Sequence, residues 1–221
     1  MLGVYSRRNA SNALPVMWTI GELSIPHIRH NVGGSFGGVN TTEYLRMNPN
    51  GRIPTIRDND FVLWESNAIV RYLCRRYDAE NLLLPCNEQQ YALADQWMDW
   101  HKTTLYPIYI DLTWAIVRTE PPLRDHALIE SLQSKLESQL AILDTHLGVN
   151  GYLVGHQLSM ADIPFGPLVY RYQKLNLEKK EFANIQAWFN SLKERPAFQH
   201  HVMFEFGRNP AEWYRFEREY S

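Results

Sequence analysis

The chain has 221 residues, with 22 Lys and Arg against 24 Asp and Glu and a formal net charge of -2 at pH 7. That length can bury one large core or two modest ones, and the near-balance of charge argues against nucleic acid as the main partner, which needs a clustered basic surface. No apolar run approaches a membrane span, the first residues lack the apolar core of a signal peptide, and Cys74 and Cys86 form neither a Cys-x-x-Cys nor a metal-ligand spacing, so the expectation is a reduced, cytoplasmic protein with no metal and no membrane partner.

In chain order, residues 2–5 read as a short strand and 12–23 as a helix with Leu14, Val16, Met17 and Ile20 as its apolar residues. Residues 27–32 read as a second strand, in which Ile28 and Val32 alternate with polar neighbours. The run Gly33-Gly34-Ser35-Phe36-Gly37-Gly38 reads as a flexible loop that ends where Thr41-Thr42-Glu43 starts a short helix. Asn48-Pro49-Asn50-Gly51-Arg52-Ile53-Pro54-Thr55-Ile56 is an extended segment, Arg57-Asp58-Asn59-Asp60 a polar turn, and Phe61-Val62-Leu63-Trp64 a second short strand. Pro54 has no N–H and pushes Ile53 toward extended geometry, which leaves one backbone edge unpaired. Glu65 and Ser66 then open a helix to about Tyr77, whose first N–H groups lack internal partners and can hold an anion. A free strand edge beside such a helix start suits a small peptide with a terminal carboxylate. Strand–helix–strand, hairpin and helix make a small α/β unit over 1–78. Cys74 falls in an apolar register of its last helix, and Arg71, Arg75 and Arg76 read as a solvated face or a subunit contact.

Residues 78–87, with Pro85, read as a linker, and 88–221 as an all-helical domain. Leu93, Trp97, Trp100, Thr104, Ile108, Leu112 and Ala115 recur at helical spacing, interrupted by Pro107, which predicts a kink. Leu128, Leu132, Leu136, Leu140, Leu143 and Leu147 form a second stripe, ended by Gly148 and Asn150. Ser159-Met160-Ala161-Asp162 is a capping box in its acidic form, and the helix it opens is weakened by Pro164 and Pro167. Phe182, Ile185, Trp188, Phe189 and Leu192 mark a further helix. The tail over 204–220 alternates aromatics (Phe204, Phe206, Trp213, Tyr214, Phe216) with charges, and reads either as a cover for apolar surface or as a lid over a substrate.

The pairing of Ile53-Pro54 with Glu65-Ser66 at this spacing resembles the glutathione-binding half of the cytosolic glutathione S-transferase family. The order of the two units, a thioredoxin-like α/β domain and then an all-helical one, extends the resemblance over nearly the whole chain. It implies a bacterial-type transferase that binds glutathione as co-substrate and directs its thiolate onto a small electrophile. The backbone of Ile53, held by Pro54, would pair with the cysteinyl part as an added strand. Ser66 would bind the γ-glutamyl carboxylate, Glu65 the α-ammonium, and Arg52 the glycyl end. The Ser159/Asp162 box resembles a structural cap of the family's second domain.

Family members place a hydroxyl, a cysteine or an amide between the first strand and the first helix, here Arg7-Arg8-Asn9-Ala10-Ser11-Asn12-Ala13. Many similar bacterial members have Ser-x-Asn where this chain has Ala10-Ser11-Asn12. Asn12 and Ser11, in that order, are therefore the candidates for activating the thiol, with Arg8 a more distant source of positive potential and Tyr5 a core residue. The alternative for Ser11 and Asn12 is a plain helix cap. Relatives often carry Lys or His some nine residues before the Asn-Pro, where this chain has Val39 and Asn40. The electrophile pocket is expected between the domains near Tyr106, Tyr109, Trp114 and Arg118, and Asp99 could reach a γ-glutamyl ammonium across a homodimer interface. Two other functions fit the same fold: a glutathione-dependent disulfide-bond reductase, for which Asn12 serves equally, and a non-catalytic scaffold.

Overall fold

A computed structural model of the chain describes residues 1–219. Strand β1 (Leu2–Ser6), helix α1 (Ala13–Glu22) and strand β2 (His27–Asn31) come first, and β1 and β2 run parallel. A 3₁₀ turn (Gly34–Phe36) and helix α2 (Thr42–Met47) lead to β3 (Thr55–Asp58), β4 (Phe61–Trp64) and helix α3 (Ser66–Tyr77). The sheet order is β2-β1-β3-β4, with β3 antiparallel to both neighbours, a thioredoxin-like arrangement. Leu2, Val4 and Ile56 of the sheet are fully buried with Val16, Ile20, Ile69 and Leu73 of α1 and α3. Ile28 is half-exposed, because β2 is an edge strand with only β1 beside it.

Local signals explain the boundaries. Thr41 caps α2 by accepting from the Tyr44 N–H at 3.2 Å. Behind the extended segment, the Tyr44 hydroxyl (2.7 Å) and the Asn48 amide (2.8 Å) both donate to the Arg52 carbonyl, and both also meet the Thr55 hydroxyl. Residues 52–54 are thus pinned from behind, and the peptide bond before Pro54 is cis. Segment 78–87 is not a loose linker. The Asp78 carboxylate accepts from the N–H groups of Leu82, Leu83 and Leu84, and the Leu83 carbonyl accepts from Met160.

The helical half comprises α4 (Glu88–Trp100), α5 (Tyr106–Val117), α6 (His126–Asn150), α7 (Phe165–Lys174), α8 (Ala183–Lys193), α9 (Pro196–His201) and α10 (Pro210–Glu219). Where a kink is expected at Pro107, the helix is interrupted just before it by a π-helical turn over His101–Leu105, in which the Tyr106 N–H bonds to the His101 carbonyl, and Pro107 lies in the first turn of α5. Pro107 cannot donate to the turn before it, and the wider turn absorbs that loss. Helix α6 runs through Gly148 and stops at Gly151, whose φ of 74° is adopted by glycine without steric cost. Leu93 and Leu128, counted in the apolar stripes, face outward, whereas Trp97, Leu136, Leu140, Leu143 and Leu147 are buried. Within the Ser159–Asp162 box the carboxylate accepts from the Ser159 N–H and hydroxyl, both at 3.0 Å.

The two halves are bound tightly to each other. The Asn67 amide of α3 donates to the Met98 carbonyl of α4 at 2.7 Å, Arg195 pairs with Glu22, and Trp18 meets Phe198 edge-on. No helix among the described residues is long and apolar enough to cross a membrane.

Candidate active site

Two cavities meet where the sheet domain faces α5. The first, of about 210 Å³, is lined by Arg52, Ile53, Pro54, Glu65 and Ser66, with Asn48 and Asn50 behind them and Asn12, Lys102 and Tyr106 opposite. Ile53 precedes the β1–β3 ladder, which begins at Thr55, so its backbone edge lies outside the sheet's own pairing. Glu65 has φ 70° and ψ 116°, a conformation costly for a residue with a side chain, and it turns the chain sharply into α3. Ser66, the first helical residue, is buried at the cavity wall. The five residues read from the two dipeptides and Arg52 therefore stand around one space.

The second cavity, of about 240 Å³, shares Asn12, Arg52, Ile53 and Tyr106 with the first and adds Arg7, Ala10, Ser11, Ile110, Trp114, Arg118 and Trp213. Tyr106, Trp114 and Arg118 are thus on its wall. Tyr109 is not. It is 1% exposed and turned into the interior beside Ser11 and Arg171.

Asn12 and Ser11 are not side-chain caps. The first amides of α1 bond to the Ala10 carbonyl, and the Asn12 side chain takes no cap bond. Each instead has its oxygen occupied by a cation from the helical domain. Lys102 donates to Asn12 Oδ1 at 3.2 Å, and Arg171 donates to Ser11 Oγ at 2.7 Å and to the Asn9 carbonyl at 2.7 Å. Ammonium and guanidinium groups have only donors, so each faces an oxygen and leaves the partner's own N–H or O–H for something else. For Asn12 that is the amide Nδ2, on a residue that lines both cavities.

Sequence reasoning missed both cations. Lys102 lies 3.7 Å from Glu65 and 5.0 Å above the Tyr106 ring, and burial lowers its proton affinity. Arg171 is 1% exposed, sits over Phe206 and Trp213, and has no carboxylate partner among the described residues. Burial lowers its proton affinity too, but a guanidinium stays charged. The signal for Arg171 was present: it is a cation inside the apolar run Phe165–Tyr172, where an unpaired charge is rare without a purpose. Tyr106 is pushed well above the usual phenol range by burial, so it remains a neutral donor.

Other candidates are committed elsewhere. Arg8 donates to the His200 carbonyl and lies over Phe204. Tyr5 stacks on His30. Asp99 pairs with Arg71 on α3 at 2.6 Å. Val39 and Asn40 line neither cavity. The tail packs onto the body of the protein and reaches the second cavity. Trp213 is buried and forms a wall of the second cavity, while α10 is fastened to the sheet domain by Glu217, which pairs with Arg7 and accepts from the Ser35 N–H at 2.8 Å. A side chain at Gly34 would come within 2.6 Å of that carboxylate. Position 220 of the tail lies outside the described residues.

Comparison with known proteins decides the family. The model of the glutathione S-transferase N-terminal domain matches residues 10–76, and that of the C-terminal domain matches 105–196. The chain belongs to the glutathione S-transferase family. Glutathione S-transferase GstB of Escherichia coli strain K12 is 35% identical over 205 residues, covering 92% of this chain and 98% of the relative. The crystal structure of a theta class glutathione S-transferase from the citrus canker pathogen Xanthomonas axonopodis pv. citri, with glutathione bound, superposes with a TM-score of 0.88 at 39% identity, covering 92% of this chain and 98% of that one. A Bombyx mori glutathione transferase superposes with a TM-score of 0.83 at 26% identity, covering 100% and 97%. Both cavities are lined by residues of the two matched domains together.

Proposed function

We propose that the chain is a cytoplasmic glutathione transferase that holds glutathione in the first cavity and presents its sulfur to an electrophile in the second. The observation that carries this reading is the position of Asn12, shared by both cavities, with its carbonyl held by Lys102. Ile53 offers a backbone edge to the cysteinyl residue, Ser66 and the start of α3 take the γ-glutamyl carboxylate, Glu65 takes the ammonium, and Arg52 takes the glycyl carboxylate.

A free thiol with a pKa of about 8.5 is mostly protonated at neutral pH, and only the thiolate attacks well. Asn12 Nδ2 and the Ser11 hydroxyl supply hydrogen bonds to the sulfur, the N-terminus of α1 adds its partial charge, and Lys102 and Arg171 place positive charge behind each donor. The thiol proton leaves to solvent, the sulfur lone pair forms the new C–S bond, and the leaving group departs with its bonding pair. Removing small reactive electrophiles in this way is a detoxification role.

Titration calorimetry with reduced glutathione tests the binding half. Ser66→Ala is expected to lose about 1.5–3 kcal/mol, the size of a charge-assisted hydrogen bond. Saturable wild-type binding that Ser66→Ala leaves unchanged would remove Ser66 from the site, and no binding at millimolar glutathione would leave the hairpin as architecture only.

A homodimer through the β4–α3 face is part of the same reading. Phe61 and Trp64 are exposed there, at 48% and 37%, and Leu63, Ala68, Arg71, Tyr72, Arg75 and Arg76 line a shallow groove beside them. Asp99, at the edge of this face, would then approach the partner's glutathione. Sedimentation at micromolar concentration should give twice the chain mass, and a monomer there would withdraw both statements.

A further inference from the structure

The second cavity has an unusual charge for a site that takes a small organic molecule. Arg7, Arg52 and Arg118 line it, and no Asp or Glu does. Two of the three guanidinium groups have work already. Arg7 pairs with Glu217, the nearby acid, which also accepts from the Ser35 N–H. Arg52 faces both cavities and is assigned to the glycyl carboxylate. Arg118 has none. Among the described residues it makes no ion pair and no side-chain hydrogen bond. Its guanidinium carbon lies 4.4 Å from the Trp213 ring centre and 5.7 Å from that of Trp114.

Stacking uses the faces of a guanidinium and leaves its five in-plane N–H groups free. That fork matches a carboxylate or a similar planar oxyanion. Burial, and after it the neighbouring Arg7, lowers the proton affinity of Arg118, and Tyr214 and Glu217 offset this only in part, so an incoming anion would relieve the remainder. The remaining walls, Tyr106, Trp114 and Trp213, suit a flat aromatic body.

We propose that the second cavity selects aromatic electrophiles that carry a negative charge, received by the guanidinium of Arg118. The proposal rests on the transferase reading above. A suitable probe is 4-chloro-3,5-dinitrobenzoate beside its neutral methyl ester. In both, the glutathione thiolate adds to the ring carbon bearing chlorine, the C–S bond forms, and chloride leaves with the C–Cl pair, so no oxidant or reductant is needed.

With kcat/KM divided by the uncatalysed rate for each compound, the wild type should favour the acid about tenfold. Arg118→Met should bring the ratio near one, and Arg118→Lys should restore part of it. A role for Arg118 in merely holding Trp213 would lower both rates and leave the ratio alone. A wild-type ratio at or below one, or a ratio unchanged in Arg118→Met, overturns the proposal. Should neither compound turn over, the transferase reading fails for this chemistry, and quenching of tryptophan fluorescence by unreactive 3,5-dinitrobenzoate and its methyl ester still tests the charge preference. Tighter binding of the acid, lost in Arg118→Met, supports it; equal or absent binding overturns it.

Discussion

Arg171→Met is expected to lower kcat/KM about thirty- to a hundredfold at neutral pH while leaving the thermal midpoint close to that of the wild type. The residue touches neither substrate. It is a positioning residue that acts through Ser11, whose oxygen it holds at 2.7 Å. Its loss removes a fully buried positive charge and one polarised donor from the thiolate, worth about 2–3 kcal/mol together, which the rate reads directly. Stability responds differently. An unpaired buried charge is costly to bury, and a Met of similar length often replaces such a group at little net cost, offset here by the orphaned Asn9 carbonyl.

The readout that separates this role from a structural one is the pH profile. Without the cation the bound thiol holds its proton more tightly, so the rising limb of activity moves to higher pH and the variant recovers in alkaline buffer. Lys102→Met should shift the same limb by a smaller amount, about one unit or 1.4 kcal/mol, because its side chain is 31% exposed and the charge is screened. The thiolate absorbance of bound glutathione gives the shift independently. A profile that keeps its wild-type midpoint in both variants would end this account of activation.

The second large effect concerns stability. Asp162→Ala should cost about 3–5 kcal/mol, a large part of the 5–15 kcal/mol that holds an ordinary domain together. The carboxylate is fully buried and accepts from the Ser159 N–H and hydroxyl, the Leu153 N–H at 3.1 Å and the Trp188 indole N–H at 3.0 Å. It therefore ties the loop after α6, the entry to α7 and the middle of α8 at one point. Truncation strands these donors away from water, at about 1–3 kcal/mol for each that finds no new partner. Urea unfolding measures the loss, and a change below 1 kcal/mol would mean that water reaches the donors.

What the sequence disclosed, and what it hid, follows the range of the interactions. Ile53-Pro54 and Glu65-Ser66 were legible because each sets its own backbone: a proline that removes a donor, and a helix start that leaves amides free. The stretch carrying Ser11 and Asn12 was legible by position. Its partners were not, since Lys102 is 90 residues away and Arg171 is 160 away, and no local pattern reports such a contact. Tyr109 shares a helix with the cavity residues but not their face. Tyr106, Ile110, Trp114 and Arg118 step by four and share a face, whereas Tyr109 falls on the core side. The capping box at Ser159 was read as a local device, and only the fold shows that Trp188 and Leu153 join it.

Every residue that lines the first cavity lies at or before Tyr106, and Arg171 precedes α8, whereas Trp213 belongs to the last described helix. A chain rewritten beyond α9 would keep Asn12, Ser11, Lys102 and Arg171, the groups proposed to activate the thiol, while losing the aromatic cover of Arg171 and one wall of the second cavity. The C-terminal helix is thus the separable part of the proposed site: it touches the space set aside for the second substrate and none of the wall proposed to hold glutathione.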